Sequence, residues 1–79
     1  MEIAARIDAR GLLCPLPVLR LRKVLAALPQ GAVVELCATD GASWIDVPHF
    51  CTSGGHLLLR AEEAAGVLRY LVQRGADVA

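Results

Sequence analysis

The chain has 79 residues, 56% of them hydrophobic, with a single Trp, Tyr and Phe, and its eight basic and eight acidic side chains cancel. So short a chain buries only about 60% of its unfolded surface, so one domain over residues 1–79 with a dense aliphatic core is expected, not a large aromatic-lined pocket. Zero net charge argues against a dedicated nucleic-acid binder, and no apolar run approaches the roughly 18 residues of a membrane span.

Ile3, Ala5 and Ile7 alternate with Ala4, Arg6 and Asp8, the period of a half-buried strand, which Gly11 interrupts. Pro15 and Pro17 suit only the first turn of a helix, where a missing N–H costs little. Val18, Leu21, Leu25 and Leu28 then recur at helical spacing, and Pro29, Gln30 and Gly31 end that helix. Arg10, Arg20, Arg22 and Lys23 fall in a stretch free of acids, readable as a solvated helix face or as a basic patch for an acidic protein partner.

Val34, Leu36 and Ala38 alternate with Val33, Glu35 and Cys37 in a second strand, and Asp40, Gly41 and Ala42 form a turn. Ser43 followed by Asp46 has the form of a capping box with Asp for Glu. Pro48 predicts a break: a helical turn over 43–47, then a second helix opening at Pro48 and ending before Gly54. Leu57, Leu59 and Ala61 alternate with Leu58, Arg60 and Glu62, and Leu68, Tyr70 and Val72 with Arg69, Leu71 and Gln73. Residues 63–66 are short enough to join these two strands as a hairpin.

The order is therefore βαβαββ. A crossover helix makes the first two strands parallel, and the hairpin makes the last two antiparallel. Arg6, Glu35, Arg60 and Arg69 fall on the faces away from the core. The expected fold class is an α/β two-layer sandwich, a four-stranded mixed sheet with two helices on one face.

Cys14 stands at the start of the first helix. Free backbone N–H groups, the helix dipole and nearby Arg10 would stabilise an anion there, while Leu12, Leu13 and Leu16 exclude water and oppose it. The balance predicts a thiol more acidic than usual, a nucleophile whose presentation Pro15 and Pro17 fix. A small buried hydrophobe is the competing reading. Asp40 follows the second strand at the same sheet edge, where it can hydrogen-bond the Cys14 loop, orient Arg10, contact a partner or simply form its turn. Trp44 is either a partner anchor or a lid packed over the sheet.

Asp8-Ala9-Arg10-Gly11-Leu12-Leu13-Cys14-Pro15-Leu16-Pro17 closely resembles the TusA/SirA signature, Asp-x-x-Gly-Leu-x-Cys-Pro-x-Pro. Asp40-Gly41-Ala42-Ser43-Trp44-Ile45-Asp46-Val47-Pro48-His49-Phe50-Cys51 is similar to that family's second segment, which ends in Asp-Ile-Pro-x-Phe-Cys, with Val47 where Ile is usual. The resemblance spans essentially the whole chain. It implies a two-layer sandwich like the C-terminal domain of translation initiation factor three. It also implies that Cys14 accepts sulfur as a persulfide from a cysteine desulfurase or a rhodanese. The sulfur then passes to an acceptor protein in tRNA thiolation, molybdenum cofactor maturation or sulfur oxidation. Arg10, Gly11, Pro15, Pro17 and Asp40 would support the loop, and Arg20, Arg22, Lys23 and Trp44 would meet partners.

No bound cofactor, metal, nucleic acid or membrane is expected, and a monomer presents such a cysteine most simply. The odd cysteine count and the lack of a signal-peptide pattern point to the cytoplasm. Two other classes compete: a non-catalytic regulatory or binding module with an inert Cys14, and a thiol–disulfide redox protein pairing Cys14 with Cys51. Cys51 lies about eight residues into the second helical region, roughly 12 Å along a continuous axis, which disfavours that pair. Core packing is its expected role, and Cys37 is expected half-exposed on the open sheet face.

Overall fold

The computed structural model, which describes residues 2–76, arranges the chain as β1 (Ala5–Ala9), α1 (Leu16–Ala26), β2 (Val33–Ala38), α2 (Ser43–Gly54), β3 (Leu57–Ala64) and β4 (Val67–Gln73). β1 and β2 pair in parallel, with Ile7 opposite Leu36. β4 pairs antiparallel with both β2 and β3, so the sheet order is β1-β2-β4-β3. The expected mixed sheet with two helices on one face is present.

Alternation explains the core. Ile7, Val34, Leu36, Leu68, Tyr70 and Val72 turn one sheet face toward the helices. Leu21 and Leu25 of α1 and Val47 and Cys51 of α2 meet them, and both leucines are fully buried. The i, i+4 spacing of each helical pair puts it on one stripe. Burying such a Leu side chain contributes about 1.5–3 kcal/mol. Arg6, Asp8, Arg10, Glu35, Cys37 and Arg69 line a shallow recess on the other face. Central β2 and β4 carry most of the buried strand residues, while edge strand β3 is mostly exposed and carries Arg60, Glu62 and Glu63. Charges on an edge discourage pairing with another chain.

Three local expectations are corrected. α2 is one helix running through Pro48, with no break. Proline deprives Trp44 of the N–H its carbonyl would accept, but Val47 and Cys51 seat the helix in the core on either side. No capping box forms: Ala42 is the N-cap, no side chain caps it, and Ser43 Oγ is instead hydrogen-bonded to Tyr70 Oη at 2.7 Å inside the protein. In β3 the register shifts between Leu58 and Arg60, a bulge that puts Leu58 and Ala61 opposite Val72 and Tyr70 on the core side. Leu57 and Leu59, which strict alternation places with Ala61, are exposed instead.

Candidate functional site around Cys14

Parallel pairing of β1 and β2 brings the starts of α1 and α2 to the same edge of the sheet. Cys14 is exposed one residue before Pro15, the N-cap of α1, and Pro17 is buried in the first turn. The Cys14–Pro15 peptide bond is cis. Two long-range hydrogen bonds hold the loop. Gly11 N–H donates to Thr39 Oγ1 at 2.9 Å, and Cys14 N–H donates to Asp40 Oδ2 at 2.6 Å. Gly11 has φ +81°, a conformation that needs glycine. The other oxygen of Asp40 accepts the N–H of Ala42 at 3.1 Å, so this one carboxylate ties the cysteine loop to the entry of α2.

The thiol itself donates to Asp46 Oδ2 at 2.6 Å. Cys14, Pro15, Val18, Asp46, His49, Phe50 and Ser53 line a cleft of about 360 Å³ between α1 and α2. Pro15, Val18 and Phe50 make its wall largely apolar, while Asp46 and His49, three residues apart, share a face of α2.

This geometry overturns the expected acidity of Cys14. Its pKa is raised, first by the hydrogen bond to the Asp46 carboxylate, then by desolvation and the negative charges of Asp46 and Asp40. Hydrogen bonds from the backbone of Cys14 and of Ala42 in turn lower the pKa of Asp40. The first two residues of α1 have no N–H free for the sulfur. Leu16 N–H is spent on Leu13 O at 2.9 Å, and Pro17 has no N–H to offer.

Nor does Arg10 act as the expected cation. Its guanidinium binds both oxygens of Asp8, at 2.8 and 3.0 Å. Hydrogen bonds from Arg10 lower the Asp8 pKa to about 2. Arg10 thus belongs to the open sheet face, not to the sulfur.

Of the other residues singled out in the sequence, Arg20 and Lys23 line a shallow recess with Arg6, Ile7 and Asp8. Arg22 is exposed on α1. Trp44 is 48% exposed with its ring centroid 6.2 Å from that of Tyr70, which makes it part lid and part surface. Leu13, Leu16 and Ile45 add exposed apolar area on the motif loop and on the first turns of α1 and α2. Cys51 is buried in the core, where desolvation pushes its pKa up to about 11. Cys37 is half-buried on the open face, 3.8 Å from the Arg69 guanidinium. Among the described residues no His, Cys, Asp or Glu cluster could hold a metal, and no helix is long and apolar enough to cross a membrane.

Asp46 is the residue that sequence reasoning missed as part of the site, taking it for a cap. The available signal was the parallel β1–β2 pair. That pair puts the loop after β2 at the Cys14 edge with Asp40, and Asp46 lies in the first turn of the helix that follows.

The sequence model of the sulfurtransferase TusA family matches residues 5–74. The chain belongs to the TusA family. It is 48% identical over 67 residues to a putative sulfur carrier protein of Neisseria meningitidis serogroup A, covering 85% of this chain and 90% of that one. A sulfur carrier protein TusA of Pseudomonas entomophila is 42% identical over 73 residues, covering 92% and 91% of the two chains. The crystal structure of a SirA-like protein from Desulfitobacterium hafniense superposes with a TM-score of 0.80 at 30% identity, over 91% of this chain and 99% of that one. In this TusA-family fold the Cys-Pro-x-Pro segment is the loop just described, residues 14–17.

Proposed function

We propose that this TusA-family protein is a sulfur carrier that holds sulfane sulfur as a persulfide on Cys14 and passes it to an acceptor protein. One observation carries the reading: of the three cysteines, Cys14 alone is exposed, and it stands on a braced loop at the mouth of a cleft. In loading, the Cys14 sulfur attacks the terminal sulfur of a donor persulfide. A new S–S bond forms, the donor's S–S bond breaks, and its electron pair leaves on the donor thiolate, which takes up the Cys14 proton. Handover is the same exchange with an acceptor thiolate attacking the loaded sulfur.

A cysteine desulfurase or a rhodanese is the donor class, and neither step requires a bound cofactor. Partner choice would rest on docking at the rim formed by Leu13, Leu16, Trp44 and Ile45, with Arg20, Arg22 and Lys23 meeting acidic partners. That docking decides whether sulfur goes to tRNA thiolation, molybdenum cofactor maturation or sulfur oxidation. Three unpaired cysteines suit the reducing cytoplasm. A Cys14–Cys51 redox couple has little support, because Cys51 is only 2% exposed and its thiol resists ionisation.

The test is intact mass after incubation with a cysteine desulfurase and cysteine. Gain of one sulfur atom, reversed by reductant, lost in Cys14→Ser and kept in Cys51→Ser, is expected. No uptake from that donor, nor from a rhodanese with thiosulfate, would leave the inert binding module as the better reading.

A further inference from the structure

Loading and unloading of Cys14 change the charge at one point, and the structure shows what surrounds that point. The thiol of the empty form donates a 2.6 Å hydrogen bond to Asp46 Oδ2. A second carboxylate, Asp40, accepts the backbone N–H of the same residue. On the α1 side the cleft is lined by the N-cap Pro15 and by Val18, both uncharged, and α2 contributes Asp46 and His49. Arg10, the nearby cation in sequence, is engaged by Asp8.

We infer that the Asp46 carboxylate biases this carrier toward giving up its sulfur, by favouring the neutral thiol of the empty form and opposing the anionic persulfide of the loaded form. The inference rests on the carrier reading above and assigns Asp46 a part in it.

A persulfide is more acidic than a thiol, so at neutral pH the transfer is Cys14–SH plus R–S–S⁻ giving Cys14–S–S⁻ plus R–SH. The proton leaves with the donor thiol and the negative charge arrives at Cys14. Asp46 thereby loses the hydrogen bond it accepted and faces an anion, with the added sulfur only about 2.05 Å beyond Sγ. Like charges disfavour each other's ionised form, and Asp40 acts in the same sense from the backbone side. The raised pKa of the Cys14 thiol is the same effect in the empty protein. Unloading restores the hydrogen bond and removes the repulsion. A carrier so built is a weak holder and a ready giver of sulfur, and its empty thiol is protected from adventitious reaction.

The experiment equilibrates the protein with a fixed ratio of glutathione persulfide to glutathione at pH 8 and reads the loaded-to-empty ratio by intact mass. Asp46→Asn keeps the side-chain shape and removes the charge. Its ratio should rise about fivefold over wild type, the effect of removing one unit charge ~4 Å away in a water-like dielectric. Asp46→Ser, a second charge-removing variant, should move the same way, and Asp46→Glu should stay nearer wild type.

A second readout needs no sulfur donor. In a Cys37→Ser background, alkylation of Cys14 by iodoacetamide should quicken about threefold in Asp46→Asn, less than the loading ratio because a more acidic thiol is a weaker nucleophile. Equal loading ratios in wild type and both charge-removing variants, or a fall in them, overturns this inference and leaves the carrier reading standing. No loading of any variant, wild type included, overturns both.

Discussion

Tyr70→Phe tests whether the buried hydroxyl pair at the base of α2 holds the site in place. Tyr70 is fully buried and Ser43 is 2% exposed, and their hydroxyls are 2.7 Å apart. Deleting the phenolic oxygen keeps the ring among its neighbours but leaves Ser43 Oγ without the one hydrogen bond it makes among the described residues. An unsatisfied buried polar group costs about 1–3 kcal/mol. Each kcal/mol moves the melting temperature of a domain this size by about 4–8 °C, so a drop of roughly 5–20 °C is expected.

Ser43→Ala strands the tyrosine hydroxyl and should cost a similar amount. Ser43→Ala with Tyr70→Phe removes both partners and should recover much of the loss, giving a coupling energy of about 1 kcal/mol or more. Urea denaturation followed by far-UV circular dichroism measures all four proteins, with Trp44 fluorescence as a second probe beside Tyr70. Ser43 opens α2 and Asp46 lies one turn on, so the destabilised variants should also alkylate faster at Cys14. If the double variant loses the sum of the two single losses, the hydroxyls are uncoupled and the reasoning fails.

Two other outcomes follow from local geometry and burial. The β3–β4 hairpin turns on Ala65 and Gly66, with φ of 53° and 81°, the two left-handed residues of a type I′ turn. Alanine is strained there, so Ala65→Asn should add about 0.5–1 kcal/mol to stability; an unchanged urea midpoint would count against the turn assignment. His56 is buried, its Nδ1 accepts the Gly75 N–H at 3.0 Å, and desolvation followed by the charge of Arg74 lowers its pKa below the ordinary 6.5. The unfolded chain therefore takes up the proton first, and stability should fall as pH drops through 6.5 toward the lower folded-state value. Between pH 8 and 5.5 the urea midpoint should decline in wild type and flatten in His56→Asn, which keeps an acceptor but cannot titrate. An equal decline in both would assign the effect to other groups.

The sequence by itself determined the element order, the parallel relation of β1 to β2 and the antiparallel pairing of β3 with β4, the face each of β1, β2 and β4 buries, and the cysteine that belongs to the family motif; the β2–β4 pairing that joins the two halves of the sheet came from the structure. Those features live in short-range patterns: period two in strands, i and i+4 in α1, prolines at a helix start, and a hairpin too short for a crossover. Where the local rule met a tertiary demand, it gave way. Packing of Val47 and Cys51 carried α2 through Pro48, and the bulge in β3 turned Leu58 and Ala61 together toward the core, which alternation does not allow.

The charge environment of Cys14 was decided by tertiary structure alone. Near neighbours in sequence, a helix start and Arg10, argue for an acidic thiol. The contacts that set it span 26 residues to Asp40 and 32 to Asp46. Electrostatic effects depend on distance in space and fall away within a few ångströms of water, so no pattern along the chain reports them until the fold has brought β2 and α2 beside the cysteine.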